Sequence, residues 1–176
     1  MSYYIRILSA TTEAATPADL RAACERAGHP PVGLHGADAN DPNWRGLDLE
    51  YGEGRCPLRL ERALASTPGG FPEVARFISQ IGAQIDAQNS KPSRSKAKKQ
   101  LLAGLESTQK FLESTQQILR FQIPDHVIED DEWGMVHALL YYLQPQLDGL
   151  IQADGEGIYD ADGKLLVAME FEGAPA

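Results

Sequence analysis

The stretch that decides the fold is LDLEYGEGRCPLRLE, residues 47–61. Its two arms, residues 47–51 and 58–61, alternate apolar and charged side chains, which is the period-two pattern of a strand with one buried face. Between the arms, GEGRCP supplies the glycine and proline that are typical of a reversing turn. The stretch therefore predicts a β-hairpin with one apolar face.

Further segments on either side of this hairpin are also strand-like. They are rich in β-branched and aromatic side chains, and Asp/Gly turns separate those in the last third of the chain. The predicted strands are residues 3–8, 118–123, 150–153, 158–160 and 164–171. Residues 29–46, in contrast, carry many Gly, Pro, Asn and Asp residues and are predicted to be a long loop.

Four helices are predicted between these strands. The first begins at Thr16-Pro17-Ala18-Asp19, because Thr can cap, Pro suits the first helical position and Asp favours the positive helix end. The second carries an apolar stripe at helical spacing, formed by Val74, Phe77, Ile78, Ile81 and Ile85. The expected helices are residues 17–27, a segment from Pro72 onward, residues 96–117, and a segment from Glu129 to Pro145, where proline ends or kinks the helix.

These elements predict a single α+β domain over residues 1–176. Its sheet is mixed and mostly antiparallel, with about four helices packed on it. Residues 91–95 are expected to be an internal linker, and residues 172–176 a disordered tail.

The acidic charge belongs to the last third of the chain. The chain carries 16 Lys+Arg and 25 Asp+Glu, a formal net charge of −9, and Lys164 is the only Lys or Arg after residue 120. An acidic chain lacks the basic face that nucleic-acid binding requires, so we expect no nucleic-acid partner. No apolar run suits a signal peptide or a membrane span, so we expect a cytoplasmic protein without a membrane partner.

No pattern predicts catalysis, a cofactor or a metal site. The sequence has no GxxxxGK[ST], GxGxxG, GxSxG or HExxH, the motifs of phosphate binding, nucleophilic catalysis and zinc proteases. Residues 154–163 (DGEGIYDADG) hold four carboxylates, but their spacing does not fit a calcium loop, and a pair of β-turns explains them. Cys24 and Cys56 lie in different predicted elements and do not form a metal-ligand pair.

Residues 91–99 hold five basic side chains. Such a run can contact RNA, DNA or an anionic membrane, although it lacks aromatic side chains for stacking on bases. A solvated linker and helix start is the simpler interpretation. Because cations oppose the dipole at a helix start, the run could also meet the acidic last third, within the fold or in a homodimer.

Two groups of residues are candidates for contact with a protein partner, because carboxylates attract a basic partner and aromatic residues amid charges often anchor interfaces. The first group is Asp125, Glu129, Asp130, Asp131, Glu132 and Trp133, with Asp154 and Glu156 from the tail. The second group, in the predicted loop, is His35, Asp38, Asp41 and Trp44. For residues 129–132, favourable charge at a helix N-terminus is the alternative interpretation.

The chain resembles the small acidic immunity proteins that protect bacteria from their own secreted or contact-delivered toxins. The resemblance rests on size, acidity, the lack of catalytic motifs and the ending GLIQADGEGIYDADGKLL, residues 149–166, where a strand leads into an Asp/Gly turn and a short hairpin. It implies a non-catalytic inhibitor of a cognate toxin, for which enzymes that act on nucleic acids or nucleotides are one class. We expect the chain to be a monomer or a homodimer. The alternatives are a chaperone or adaptor for a secreted cargo, an enzyme, and a self-associating structural domain.

Overall fold

Eight strands form one antiparallel sheet in the computed structural model, which describes residues 3–91, 95–123 and 130–169, with the backbone alone at 130–132. The strands are β1 (Tyr3–Ser9), β2 (Gly33–His35), β3 (Gly46–Glu50), β4 (Leu58–Leu64), β5 (Gln117–Ile123), β6 (Leu150–Ala153), β7 (Gly157–Tyr159) and β8 (Leu165–Ala168). Their order across the sheet is β2-β3-β4-β5-β1-β6-β7-β8, and each neighbouring pair is antiparallel.

Helices cover both faces of this sheet. They are α1 (Pro17–Arg26), α2 (Pro72–Asn89), α3 (Lys96–Glu113) and α4 (Asp130–Leu147). α1 and α4 pack on one face, and α2 and α3 pack on the other, each pair with its own buried cluster. The predicted α+β single-domain class is therefore confirmed, as three layers with the sheet in the middle.

The hairpin that the sequence predicts is β3–β4. Leu47 pairs with Leu60 and Leu49 with Leu58, and all four leucines are buried. They face the core under α1 and α4. Strand β4 then runs on to Leu64 and pairs with β5, which joins the hairpin to the centre of the sheet.

The helix boundaries follow local chemistry. Thr16 and Asp19 form a capping box in which the Asp19 backbone N–H donates to the Thr16 hydroxyl and Asp19 accepts from the Thr16 backbone N–H, which satisfies amides that the first turn leaves unpaired. Hydrogen bonds from the Thr16 hydroxyl, and then from the Thr16 backbone N–H, lower the pKa of the Asp19 carboxyl. Ser95 caps α3 by accepting from the Lys98 N–H.

Two expectations about the first two-thirds of the chain are wrong. Residues 29–46 are not a continuous loop, because β2 forms within them and pairs with β3 as the edge of the sheet. Helix α3 ends at Glu113 rather than at residue 117. Ser114 and Thr115, which follow the helix, are weak helix formers, and Gln117 begins β5, where it pairs with Ser9.

The last third departs from expectation at three boundaries. α4 continues past Pro145 to Leu147, so the proline does not end the helix. β7 spans Gly157–Tyr159, one residue earlier than predicted, and β8 spans Leu165–Ala168. Of the predicted linker, residues 92–94 lie outside the described residues, as does the whole predicted tail.

Candidate functional site

An aromatic stripe runs along the solvent side of α4. Trp133, His137 and Tyr141 follow one another at spacings of four residues, which places them on successive turns of one helix face. The Trp133 and His137 ring centroids are 5.8 Å apart. Trp133 packs partly on the core beneath, whereas Tyr141 is 80% exposed. An aromatic side chain that is so exposed on a helix is a candidate contact residue.

His137 and Tyr141 of this stripe form part of one wall of a cleft. The cleft lies between the C-terminal half of α4 and the turn that joins β7 to β8, and its volume is about 340 Å³. Its lining residues are His137, Leu140, Tyr141, Gln144, Ile151, Asp160, Ala161, Asp162 and Gly163. Helix and strand therefore supply an aromatic and apolar wall, and the turn supplies two carboxylates.

Backbone hydrogen bonds fix the turn that carries these carboxylates. Asp160 Oδ1 accepts from the backbone N–H of Asp162, at 3.0 Å, and from that of Lys164, at 2.9 Å. Gly163 has φ +73°, a conformation that glycine adopts without strain. Asp162 is exposed at the tip of the turn. The sequence DADGK thus builds a rigid loop that presents one carboxylate to solvent.

The opposite wall is fixed by a buried glutamine. Gln144 is 6% exposed, and its Nε2 donates to the carbonyl of Gly149, at 2.9 Å. This bond ties the last turns of α4 to the residue that enters β6. Because both walls of the cleft are held by hydrogen bonds, its shape is formed before any ligand arrives.

The structure places only part of the first predicted contact group. Asp125 and Glu129 lie outside the described residues. Asp130, Asp131 and Glu132 are the first three residues of α4, described as backbone alone, so they lie at the N-terminal end of the aromatic stripe. Trp133 belongs to the stripe itself.

The Asp154 carboxylate makes its contacts with other residues of the fold. It pairs with the guanidinium of Arg6, which is buried at 8% exposure, and accepts from the Tyr4 backbone N–H at 3.2 Å. Arg6 Nε also lies 3.7 Å from Glu73 of α2, so Asp154 belongs to a charge network on the α2–α3 side of the sheet. Removing one partner of such a buried pair is destabilising, so we assign Asp154 a structural role.

Glu156 holds two tyrosines at the end of the sheet. It accepts from the Tyr3 hydroxyl at 2.9 Å and from the Tyr159 hydroxyl at 3.0 Å. Burial, and then the hydrogen bond to Glu156, raise the pKa of both phenols. Glu156 itself remains exposed. β5 ends at Ile123, which pairs with Tyr3 of β1. Glu156 therefore lies at the end of the sheet where β5 ends.

One member of the second predicted group, Trp44, lies in the core. Trp44 is 2% exposed and donates its indole N–H to the Ala15 carbonyl at 2.7 Å. It is a core residue, and its prediction as an interface anchor is wrong. Asp38 is exposed. Asp41 Oδ1 accepts a hydrogen bond from the Asn43 backbone N–H. His35 Nε2 lies 3.4 Å from Glu50 Oε2.

The second predicted group and the cleft beside α4 lie towards opposite edges of the sheet. His35 is in β2, the strand at one edge, while the turn that carries Asp160 and Asp162 leads into β8, the strand at the other. Sequence reasoning did not single out Tyr141, His137, Asp160 or Asp162 as contact residues. The spacing of Trp133, His137 and Tyr141 was the signal that could have found the stripe.

The basic run begins α3 on the other side of the sheet. The first turn of α3 holds Lys96, Lys98 and Lys99 and no acidic residue. Lys98 Nζ donates to the Lys91 carbonyl at 2.5 Å. Within the described ranges, no ion pair joins these lysines to the acidic last third.

No family model, curated protein or solved structure matches this chain. Among the described residues, no group of three or more His, Cys, Asp or Glu side chains could hold a metal ion. In the same ranges, no helix has the length and apolar character that crossing a membrane requires.

Proposed function

We propose that this protein is a non-catalytic immunity protein that binds and blocks a cognate toxin. The observation that carries the proposal is the surface that we call the α4 face, formed by Trp133, His137 and Tyr141 with Asp160 and Asp162 across the cleft. It combines a solvent-exposed aromatic anchor with carboxylates, and three further acidic residues begin the same helix.

This composition suits a basic protein partner. Aromatic side chains give an interface most of its affinity, while charges at the rim speed up association and exclude wrong partners. Carboxylates at both ends of the aromatic stripe would attract a cationic surface, such as the active site of a toxin that acts on nucleic acids or nucleotides. A chaperone for apolar segments needs an apolar groove, and the two Asp residues on the rim of this cleft favour a charged partner instead.

The functional test is co-expression with the protein encoded beside its gene. We expect that neighbour to be toxic when it is expressed alone in bacteria and harmless when this protein is present. A variant with Tyr141→Ala and Asp162→Lys should lose protection, because both side chains are exposed on the α4 face and their replacement leaves the core intact.

The matched control is Asp86→Lys, since Asp86 is an exposed acid of α2 on the opposite side of the sheet. This variant changes the net charge by the same amount as the test pair and should protect as well as the wild type. A harmless neighbour, or a double variant that protects fully, would contradict the proposal.

A further inference from the structure

We propose that the cleft beside α4 receives an arginine side chain of the protein partner. The inference deepens the proposed function and rests on it, because it names the group that the α4 face recognises. The evidence is the chemistry of the two walls and their separation by a preformed gap of about 340 Å³.

The wall on α4 can contact both the methylene groups and the planar guanidinium of an arginine side chain. Leu140 and Ile151 line the cleft with apolar surface, along which the three methylene groups of arginine can pack. Tyr141 is 80% exposed, so its ring can take a planar cation on one face without displacing any core residue. Guanidinium groups stack on aromatic rings more readily than ammonium groups do.

The wall on the turn supplies the opposite charge. Asp160 lines the cleft while its Oδ1 holds the turn, and exposed Asp162 presents a second carboxylate at the rim. None of the described residues that line the cleft is Lys or Arg. A cationic side chain that enters would therefore meet two carboxylates and an aromatic face, and a planar guanidinium can donate to a carboxylate with two parallel N–H groups.

Hydrogen bonds also fix the shape of the cleft before a ligand binds. The Gln144 bond to Gly149 holds one wall, and the Asp160 bonds hold the other. Preorganised groups lose little conformational entropy on binding, so a small contact can still contribute specificity. Tyr141 projects into solvent beside the cleft, where it would contact the surface of a bound partner. The proposed occupant is therefore a side chain from a protein rather than a free small cation.

The test is an NMR titration with a peptide in which arginine alternates with glycine. We expect saturable shifts of the Tyr141, Asp162 and Gly163 amide resonances. The peptide with citrulline in place of arginine has the same shape without the charge and should leave these resonances unmoved. Free arginine amide should bind more weakly than the peptide, which distinguishes a side chain in a polypeptide from a small cation.

Variants test each wall separately. Tyr141→Leu and Asp162→Asn should each weaken binding of the arginine peptide by about threefold, the scale of one exposed cation–π or ion-pair contact. Tyr141→Phe keeps an aromatic face and should bind as the wild type does. The control Asp86→Asn removes one exposed acid from α2 and should change nothing.

Four titration results would overturn the inference. Citrulline could shift the same resonances equally, the shifts could spread over all acidic segments without saturation, both wall variants could bind unchanged, or free arginine amide could bind as tightly as the peptide. The proposed function fails independently, if the purified neighbour-encoded toxin does not bind the wild type while the arginine peptide still titrates the cleft. Conversely, if the toxin binds the Tyr141→Leu variant with wild-type affinity, the arginine site is wrong and the inhibitor role is unaffected.

Discussion

Replacing Asp160 separates the structural role of its turn from the charge that it presents. In Asp160→Ala, the backbone N–H groups of Asp162 and Lys164 lose their acceptor. Each such hydrogen bond contributes about 0.5–1.5 kcal/mol net, so we expect the free energy of unfolding to fall by about 1–3 kcal/mol. In a domain of this length, that loss lowers the midpoint of thermal unfolding by about 2–12 °C.

The matched variant is Asp160→Asn. The Asn side chain keeps a carbonyl oxygen in the position of Oδ1, and Asn serves in such turns nearly as well as Asp. Its unfolding free energy should lie within about 0.5 kcal/mol of the wild type, while its affinity for the arginine peptide falls by about threefold, because one negative charge is gone.

The assay is urea denaturation followed by tryptophan fluorescence, with the slope checked so that the shift in midpoint reports stability. The reasoning is refuted if Asp160→Ala is as stable as the wild type, or if the Ala and Asn variants are destabilised equally. In either case, the Oδ1 hydrogen bonds would not be what holds the turn.

Three further predictions concern residues away from the cleft. An aromatic disulfide reagent should label exposed Cys56 in the folded protein and Cys24 only after unfolding, because burial hides Cys24 and raises the pKa of its thiol to about 11. Trp44→Phe should destabilise the protein by about 1–3 kcal/mol in urea denaturation while leaving toxin binding unchanged. Glu156→Gln should lower the pKa of Tyr3 in an ultraviolet titration without restoring its ordinary value, because burial is the larger cause.

The hairpin shows what the sequence can reveal about the fold. Its alternating leucines are a local pattern, and the register that they imply is the one observed for Leu47 with Leu60. The capping box of α1 and the apolar stripe of α2 are equally local, so their helices begin where the sequence indicates. β2 has no such pattern, because its three residues are a strand only by virtue of pairing with β3.

Buried arginines show which polar positions the local sequence does not mark. Arg62 is 6% exposed, and its guanidinium donates to the carbonyls of Pro42, at 3.0 Å, and Thr12, at 2.7 Å. Desolvation by burial lowers the pKa of Arg62. Its partners come from distant loops, and nothing local to Arg62 marks it as buried.

The candidate site was predictable only in part, for the same reason. The concentration of acid in the last third is a property of the sequence, and it led to the start of α4. The cleft requires α4 and the β7–β8 turn to lie side by side, which depends on β6 pairing with both β1 and β7. Trp44, in contrast, had the composition of an interface anchor and proved to be core, because aromatic residues serve both purposes.

The central claim is that the α4 face, together with the acidic residues that begin the same helix, contacts a basic partner. The most direct measurement is the association rate constant of the purified toxin with a variant in which Asp130, Asp131 and Glu132 are replaced by lysine, across a range of salt concentrations. We predict a rate at least about tenfold lower than that of the wild type at low salt, with the difference shrinking as salt screens the charges. Exposed Asp86 and Glu106, on the opposite side of the sheet, supply the lysine control. A rate and salt dependence equal to those of the wild type would contradict the account.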